Sequence, residues 1–322
     1  MGQGGVEDRG WARTRAWVEE NLPPESSITA ARGLRGGWTS DMRLLHIAGT
    51  GGADGPERLV LRSFTKPFFV RHAEGLLTRE ADILRLLAGT DIPAAALRAV
   101  DATAARCDHP SLLMSFLPGS VRLDEREADR RAVLLARLLA AVHRVCVPPD
   151  VRPRTYQAWT SPESVRLPKA PGRSEVWRRA VDVIRREPPP YRGCFLHRDF
   201  HPGNVLFTGH GDGLEVSGVV DWVETSWGPA DLDVAHCSTA LALLHGVGAG
   251  MRFADAYLAT GGALTGDPAA HLYWRVLDAL AFAPDAEKVA VPWRELGRRD
   301  LTPAVLTRRL EDYLLALLDR YA

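Results

Sequence analysis

The stretch Phe195-Leu196-His197-Arg198-Asp199-Phe200-His201-Pro202-Gly203-Asn204-Val205-Leu206-Phe207 sets four polar side chains, His197, Asp199, His201 and Asn204, between two apolar runs. An aspartate is costly to bury, and a Pro-Gly pair bends the backbone sharply, so this loop belongs at the mouth of a site. Seventeen residues past Asn204 a β-branched run, Val219-Val220, ends in Asp221, and Asp233 follows on the far side of Gly228-Pro229. Two chemistries fit these residue types. Asp199 can accept a hydrogen bond from an attacking hydroxyl while Asn204 and Asp221 offer hard oxygen ligands to a divalent cation. An amide at 204 suits that task, because a second carboxylate beside Asp199 would raise both pKa values. The other chemistry is metal-dependent hydrolysis, with His197, Asp199 and His201 as ligands on alternating positions of an extended loop. Such a site needs further ligands, and no His-rich segment elsewhere supplies them in an obvious motif.

His197-x-Asp199 with Asn204 five residues later resembles the catalytic loop of the protein-kinase superfamily. The His201-Pro202-Gly203-Asn204 form, with Asp221-Trp222 and then Trp227-Gly228-Pro229-Ala230-Asp231-Leu232-Asp233-Val234-Ala235, resembles its aminoglycoside phosphotransferase branch. The resemblance is strongest over 197–235 and spans most of the chain from Met42 onward. It implies an ATP- and Mg2+-dependent O-phosphotransferase acting on a small-molecule hydroxyl, an aminoglycoside-like antibiotic or another hydroxylated metabolite. It implies that Asp199 orients the hydroxyl, that His197 props the loop, and that Asn204 and Asp221 bind magnesium. Asp233, or Asp231 in competition with it, holds the loop through backbone hydrogen bonds. In the N-terminal part the resemblance implies a basic residue on the third strand that binds ATP phosphates and pairs with a helix glutamate. Arg62 and Glu80 take those positions. Arginine there departs from the commoner lysine, and Lys66, the only lysine nearby, lies beyond the strand with Pro67 after it. Leu112 to Leu117 would be the hinge between lobes, with Met114 and Phe116 at the adenine.

The surrounding elements are legible from periodicity and turn residues. A helix from about Trp11 to Asn21, two short strands around a glycine turn over 33–40, and a strand at Arg58–Phe64 suggest an antiparallel meander. The glycine turn could cover nucleotide phosphates with its N–H groups, or be a hairpin turn only. A helix over His72–Ala88 carries the stripe Leu76, Ile83, Leu84, Leu87, with Glu80 on the same face. A buried carboxylate there needs a cation, which Arg62 can supply. Asp124 and Glu127 form a capping-box-like pair ahead of a helix to about Val145, near whose end His143 reads as a satisfied helix-end histidine. Residues 148–190 are proline-rich, with a helix near Ser174–Arg186. Pro229, Asp267-Pro268 and Thr302-Pro303 open three further helices, the last with Leu306, Leu310, Tyr313, Leu314 and Leu317 inward. A strand-rich first third and a helical remainder predict an α+β, two-lobed, protein-kinase-like fold. It has a small N-terminal lobe (1–117) of antiparallel sheet plus helix and a larger, mainly helical C-terminal lobe (118–322).

Of 322 residues 25% are charged, with a formal net charge of +0, so neither a nucleic-acid nor a polybasic membrane partner is indicated. No apolar run reaches transmembrane length, the first residues are not a signal peptide, and the four scattered cysteines read as free thiols. The expected location is cytoplasmic. There is no P-loop, no well-formed dinucleotide fingerprint, no nucleophile elbow and no activation segment ending in Ala-Pro-Glu. An aminoglycoside is a polycation and calls for an acidic pocket, for which Glu224, Asp278, Asp285 and Glu287 are candidates. A kinase-like binding module without transfer is the competing functional class. The presence of Asp199, Asn204 and Asp221 together favours an enzyme.

Overall fold

The computed structural model describes residues 10–34, 40–49, 57–169 and 172–322, and the chain divides into two compact units, Met1–Leu117 and Pro118–Ala322. The first unit runs α1 (Ala12–Glu20), β1 (Ser27–Leu34), β2 (Asp41–Ala48), β3 (Glu57–Ser63), α2 (Pro67–Leu87), β4 (Leu97–Asp101) and β5 (Ser111–Ser115). Its strands form one antiparallel sheet in the order β1-β2-β3-β5-β4. The central strand β3 is covered on both faces, which is why Leu59-Val60-Leu61 is apolar without alternation. Leu59 and Leu61 pack with Trp17 and Val18 of α1. The other face carries Arg62, which meets Glu80 of α2.

Helix α2 begins five residues ahead of the expected His72, because Pro67 occupies a first-turn position where a missing N–H costs nothing. Its buried stripe includes Ala73, Leu77, Glu80, Leu84 and Leu87, whereas Leu76, expected on it, is half-buried. Most of the glycine turn read over 33–40 lies outside the described residues, as does the glycine loop over 50–56.

The second unit contains α3 (Ala128–His143), α4 (Ser174–Ile184), β6 (Gly193–Leu196), β7 (Val205–Thr208), β8 (Glu215–Val219), β9 (Ser226–Pro229), α5 (Ala230–His245), α6 (Val247–Ala259), α7 (Pro268–Ala281), α8 (Glu287–Glu295) and α9 (Pro303–Tyr321). Two antiparallel ribbons, β6 with β9 and β7 with β8, accompany the helices. Trp177, Trp274 and Trp293 share one core with the α9 stripe of Leu306, Leu310, Tyr313, Leu314 and Leu317. Asp267 and Thr302 cap α7 and α9 with their side chains. The capping box expected ahead of α3 does not form. Glu127 stands at the N-cap with φ 58°, and its carboxylate accepts from the Gly211 N–H at 2.6 Å instead.

Helix α5 is buried from Asp231 to Leu244, so each polar group on it must find a partner inside the fold. Its last-turn carbonyls find arginines. Arg309 donates to Leu243 O at 2.6 Å, and Arg298 donates to Leu244 O at 2.8 Å and Leu123 O at 2.7 Å. Arg275, fully buried, donates to the Tyr313 hydroxyl at 2.6 Å and to Gly250 O at 3.2 Å. No helix among the described residues is long and apolar enough to cross a membrane, and all four cysteines are free.

Candidate active site

Strand β6 ends in buried Phe195 and Leu196, and the loop 197–204 leaves it held from α5. Asp233 accepts the His197 N–H on Oδ2 and the Arg198 N–H on Oδ1, both at 2.8 Å. Arg198 sits at φ 75°, a conformation unfavourable to a side chain, and these two bonds fix it there. Burial works against the Asp233 charge, but the His143 hydrogen bond (Nε2 at 3.2 Å) and the neighbouring His197 and Arg198 outweigh it, keeping its pKa below the carboxylate range. Asp231, the competing candidate, instead faces His271 Nδ1 at 3.3 Å and the Thr265 N–H.

His197 spends both ring nitrogens: Nε2 donates to Val220 O at 3.1 Å and Nδ1 accepts the Asp199 N–H at 3.3 Å. The ring is fully buried, which lowers its pKa, and it packs 4.4 Å from the Trp222 ring. No lone pair is left for a metal. His201 Nδ1 accepts from the Gly203 N–H at 3.0 Å, so its Nε2 carries the proton and cannot ligate either. The groups of Asp199, His201 and His236 lie within 4.8 Å of one another, yet this tautomer removes His201 as a ligand. The three-ligand hydrolytic site read from His197-x-Asp199-x-His201 is therefore not assembled.

Asp199 is fixed at both oxygens. Asn204 Nδ2 donates to Oδ2 at 3.0 Å and to the Asp199 carbonyl at 2.9 Å. His236 Nε2 lies 3.1 Å from Oδ1. Burial favours the neutral acid, but the His201 and His236 rings outweigh it and hold the Asp199 carboxyl far below its ordinary range. With its amide nitrogen engaged, Asn204 has its amide oxygen to offer. The Val220 N–H donates to Asn204 O at 3.0 Å and ties that residue to the strand end where Asp221 stands, at φ 65°. A carbonyl and a carboxylate oxygen are a hard donor set that fits Mg2+.

His236 is the functional residue missed in the sequence. Its Nδ1 meets Asp278 Oδ1 and its Nε2 meets Asp199 Oδ1, each at 3.1 Å, and only an imidazolium donates to both. Burial opposes protonation, but the Asp278 and Asp199 carboxylates raise its pKa to about 9. The one available signal was position: it follows Asp233 by three residues on one helix face.

A cavity of about 430 Å3 opens over Asp199 and His236, with Trp159, Phe282, Glu224 and Lys288 among its walls. Of the four candidate acids, only Glu224 lines this cavity. It pairs with Arg154 at 2.6 Å. Asp278 is buried against His236, Asp285 accepts the Glu287 N–H, and Glu287 pairs with Arg294.

In the first unit Arg62 and Glu80 do meet. Arg62 Nη1 donates to both Glu80 oxygens at 2.9 Å and Nε to Ser40 Oγ at 3.2 Å. Arg62→Met in the full chain is expected to cost about 3–5 kcal/mol by removing the guanidinium from which both buried Glu80 oxygens accept, and Arg62→Lys much less. Denaturant unfolding of both variants checks this, and equal losses would mean that a charge alone does not replace the guanidinium's bonds to Glu80 and Ser40. Met114 is paired in the sheet with Val60 and Leu97, and the Phe116 N–H donates to Arg58 O at 3.1 Å. These are two residues of the expected hinge strand, and both are engaged within the sheet.

Against known proteins, the profile of the phosphotransferase enzyme family matches residues 30–280. No protein of curated function matches the sequence. Among solved structures the chain is similar to a provisionally named aminoglycoside phosphotransferase from Ralstonia eutropha, at 17% identity and TM-score 0.64 over 95% of this chain and 98% of that one. It is similar to aminoglycoside 2'-phosphotransferase-IIIa in its GDP complex, at 14% identity and TM-score 0.60 over 94% and 98%. It is also similar to spectinomycin phosphotransferase APH(9)-Ia in complex with ADP and spectinomycin, at 14% identity and TM-score 0.54 over 91% and 94%. The expected α+β, two-lobed, kinase-like fold is the one these chains share.

Proposed function

Because this chain belongs to the phosphotransferase enzyme family, we propose that it moves the γ-phosphoryl group of ATP, with Mg2+, to a hydroxyl of a small molecule. The observation that carries this reading is Asp199, a carboxylate fixed at both oxygens by Asn204 and His236 against a cavity. The acceptor oxygen forms its bond to the γ-phosphorus as the bond to the β–γ bridging oxygen breaks, ADP leaves, and the hydroxyl proton passes to Asp199 and on to solvent. An Asp199 carboxyl held so far below its usual pKa is a weak base. It therefore orients the hydroxyl and takes the proton late, once the oxygen is bonded to phosphorus. Magnesium, held by Asn204 and Asp221, would neutralise charge on the phosphates. Arg62, kept in place by Glu80, is the candidate phosphate ligand of the first unit.

The ADP complex of one similar structure and the GDP complex of another make either purine nucleotide chemically reasonable, and the test includes both. It is magnesium-dependent nucleotide consumption against a panel of hydroxylated compounds (aminoglycosides, macrolides, peptide antibiotics, choline, homoserine, sugars), with the phosphorylated product identified by mass. Stimulation by one compound, with ADP and a phosphomonoester in equal amounts, is the expected result. Tight nucleotide binding with no turnover for any compound would favour a binding module instead.

A further inference from the structure

We propose that the cavity over Asp199 takes an alcohol on a flat apolar body that also carries an anionic group, with Lys288 as the residue that reads this charge, and that it rejects polycations. This rests on the reading of that cavity as the acceptor site. Its walls supply apolar surface from Trp159, Phe282 and Val289. Trp159 is set in place: the Arg198 guanidinium lies 4.1 Å over its ring and the His236 ring meets its edge at 5.0 Å. A flat body laid between Trp159 and Phe282 gains area and ring contact, as ligand cavities ordinarily provide.

The charges decide the rest. Each carboxylate facing the cavity is already answered within the protein, Asp199 by His236 and Asn204, and Glu224 by Arg154. Of the nearby acids Asp278, Asp285 and Glu287, none lines the cavity: Asp278 faces His236, Glu287 pairs with Arg294, and Asp285 accepts the Glu287 N–H. Lys288, on the first turn of α8, lines the same cavity and forms no ion pair or hydrogen bond among the described residues. The charge left for a ligand is therefore positive. A compound with several ammonium groups would meet the Lys288 ammonium with no unpaired carboxylate among the lining residues to offset it.

The test uses three compounds with one phenylpropane body: 3-phenyllactate (anionic), 3-phenyl-1,2-propanediol (neutral) and phenylalaninol (cationic), with kanamycin as the polycation. Binding is measured by calorimetry on the full chain with magnesium and ADP, so that it is read apart from turnover. Phenyllactate is expected to bind about tenfold more tightly than the diol and phenylalaninol more weakly than either, with no binding of kanamycin. Lys288→Ala is expected to bring phenyllactate and the diol within about twofold, and Lys288→Glu to place the amine first. Equal binding of the three, a preference for phenylalaninol or kanamycin, a preference unchanged in Lys288→Ala, or no binding of phenyllactate at millimolar concentration would overturn the assignment. Charge-selective binding without phosphoryl transfer to any bound alcohol would instead overturn the transferase reading and leave the cavity assignment in place.

Discussion

Asp199→Ala is expected to lower kcat by about 10²–10⁴-fold while leaving the nucleotide Kd within about threefold of the parent. The split follows from what the carboxylate touches. Its oxygens meet Asn204, His236 and the cavity, and none of the hydrogen bonds that hold the loop backbone to α5 passes through it. Asp233 makes those, so removing Asp199 leaves the loop in place. Asn204 would lose one of its two acceptors but keep the Asp199 carbonyl. Asp199→Asn should be nearly as inactive, because an amide cannot accept a proton at neutral pH and its NH2 would face the His236 Nε2–H. Turnover within a few-fold of the parent in either variant would remove Asp199 from the chemistry and the transferase reading with it. A parallel loss of nucleotide binding would mark damage to the loop.

The second large effect is on pH. His236 has a folded pKa raised from 6.5 to about 9, so it is protonated throughout the neutral range and donates to Asp278 and Asp199 at once. A raised pKa means that the stability it contributes is complete below about 6.5 and is lost as pH rises through about 9. When the proton leaves, Asp278 keeps the Nδ1–H, and a lone pair on Nε2 faces Asp199 Oδ1. The carboxylate then loses one of its two holds. The kcat of the parent is expected to fall as pH rises through about 9. The groups facing the ring are Asp199 and His201 from the loop, Asp278 from α7 and Arg198 behind it. In His236→Gln an amide NH2 can donate to Asp199 but does not titrate, so the alkaline limb should vanish while the plateau falls about tenfold. An unchanged limb in that variant would assign it to another group. Ring 15N shifts of His236 followed against pH provide the same pKa without an assay.

The chemistry-bearing loop was legible because its residues are consecutive. A polar segment between two short apolar runs has few local alternatives, and Asp221 and Asp233 follow at short spacing. Pro and Asp or Thr at helix starts located α7 and α9 for reasons that act within one turn. What was hidden depends on distant partners. His236 stands on a helix buried all round, where a lone histidine is as compatible with a satisfied core residue as with a site. Its meaning comes from Asp278, 42 residues away. Trp159 lies in a proline-rich stretch with little regular structure, so its place at the cavity has no periodic signal. Helix α6 opens Val247-Gly248-Ala249-Gly250, a poor helix former. Tertiary packing overrides that propensity, since a Cβ at Gly250 would come 2.4 Å from the Ser238 carbonyl oxygen. The acids thought to line a pocket show the same limit from the other side: composition counts charges, and only the fold shows which are already paired.

The arginines that close the end of α5 bear on what an alkaline experiment can report. Only 3 of the 40 basic residues are lysine, and the interior ties from Arg275, Arg298 and Arg309 to carbonyls and hydroxyls are all made by guanidinium groups. A lysine in those places would begin to discharge near pH 10, whereas a guanidinium keeps its proton. The scaffold behind Asp233 and His236 is thus held by guanidinium groups. A titration carried past pH 9 would then report one imidazole losing its proton inside an intact framework, not the framework coming apart around it.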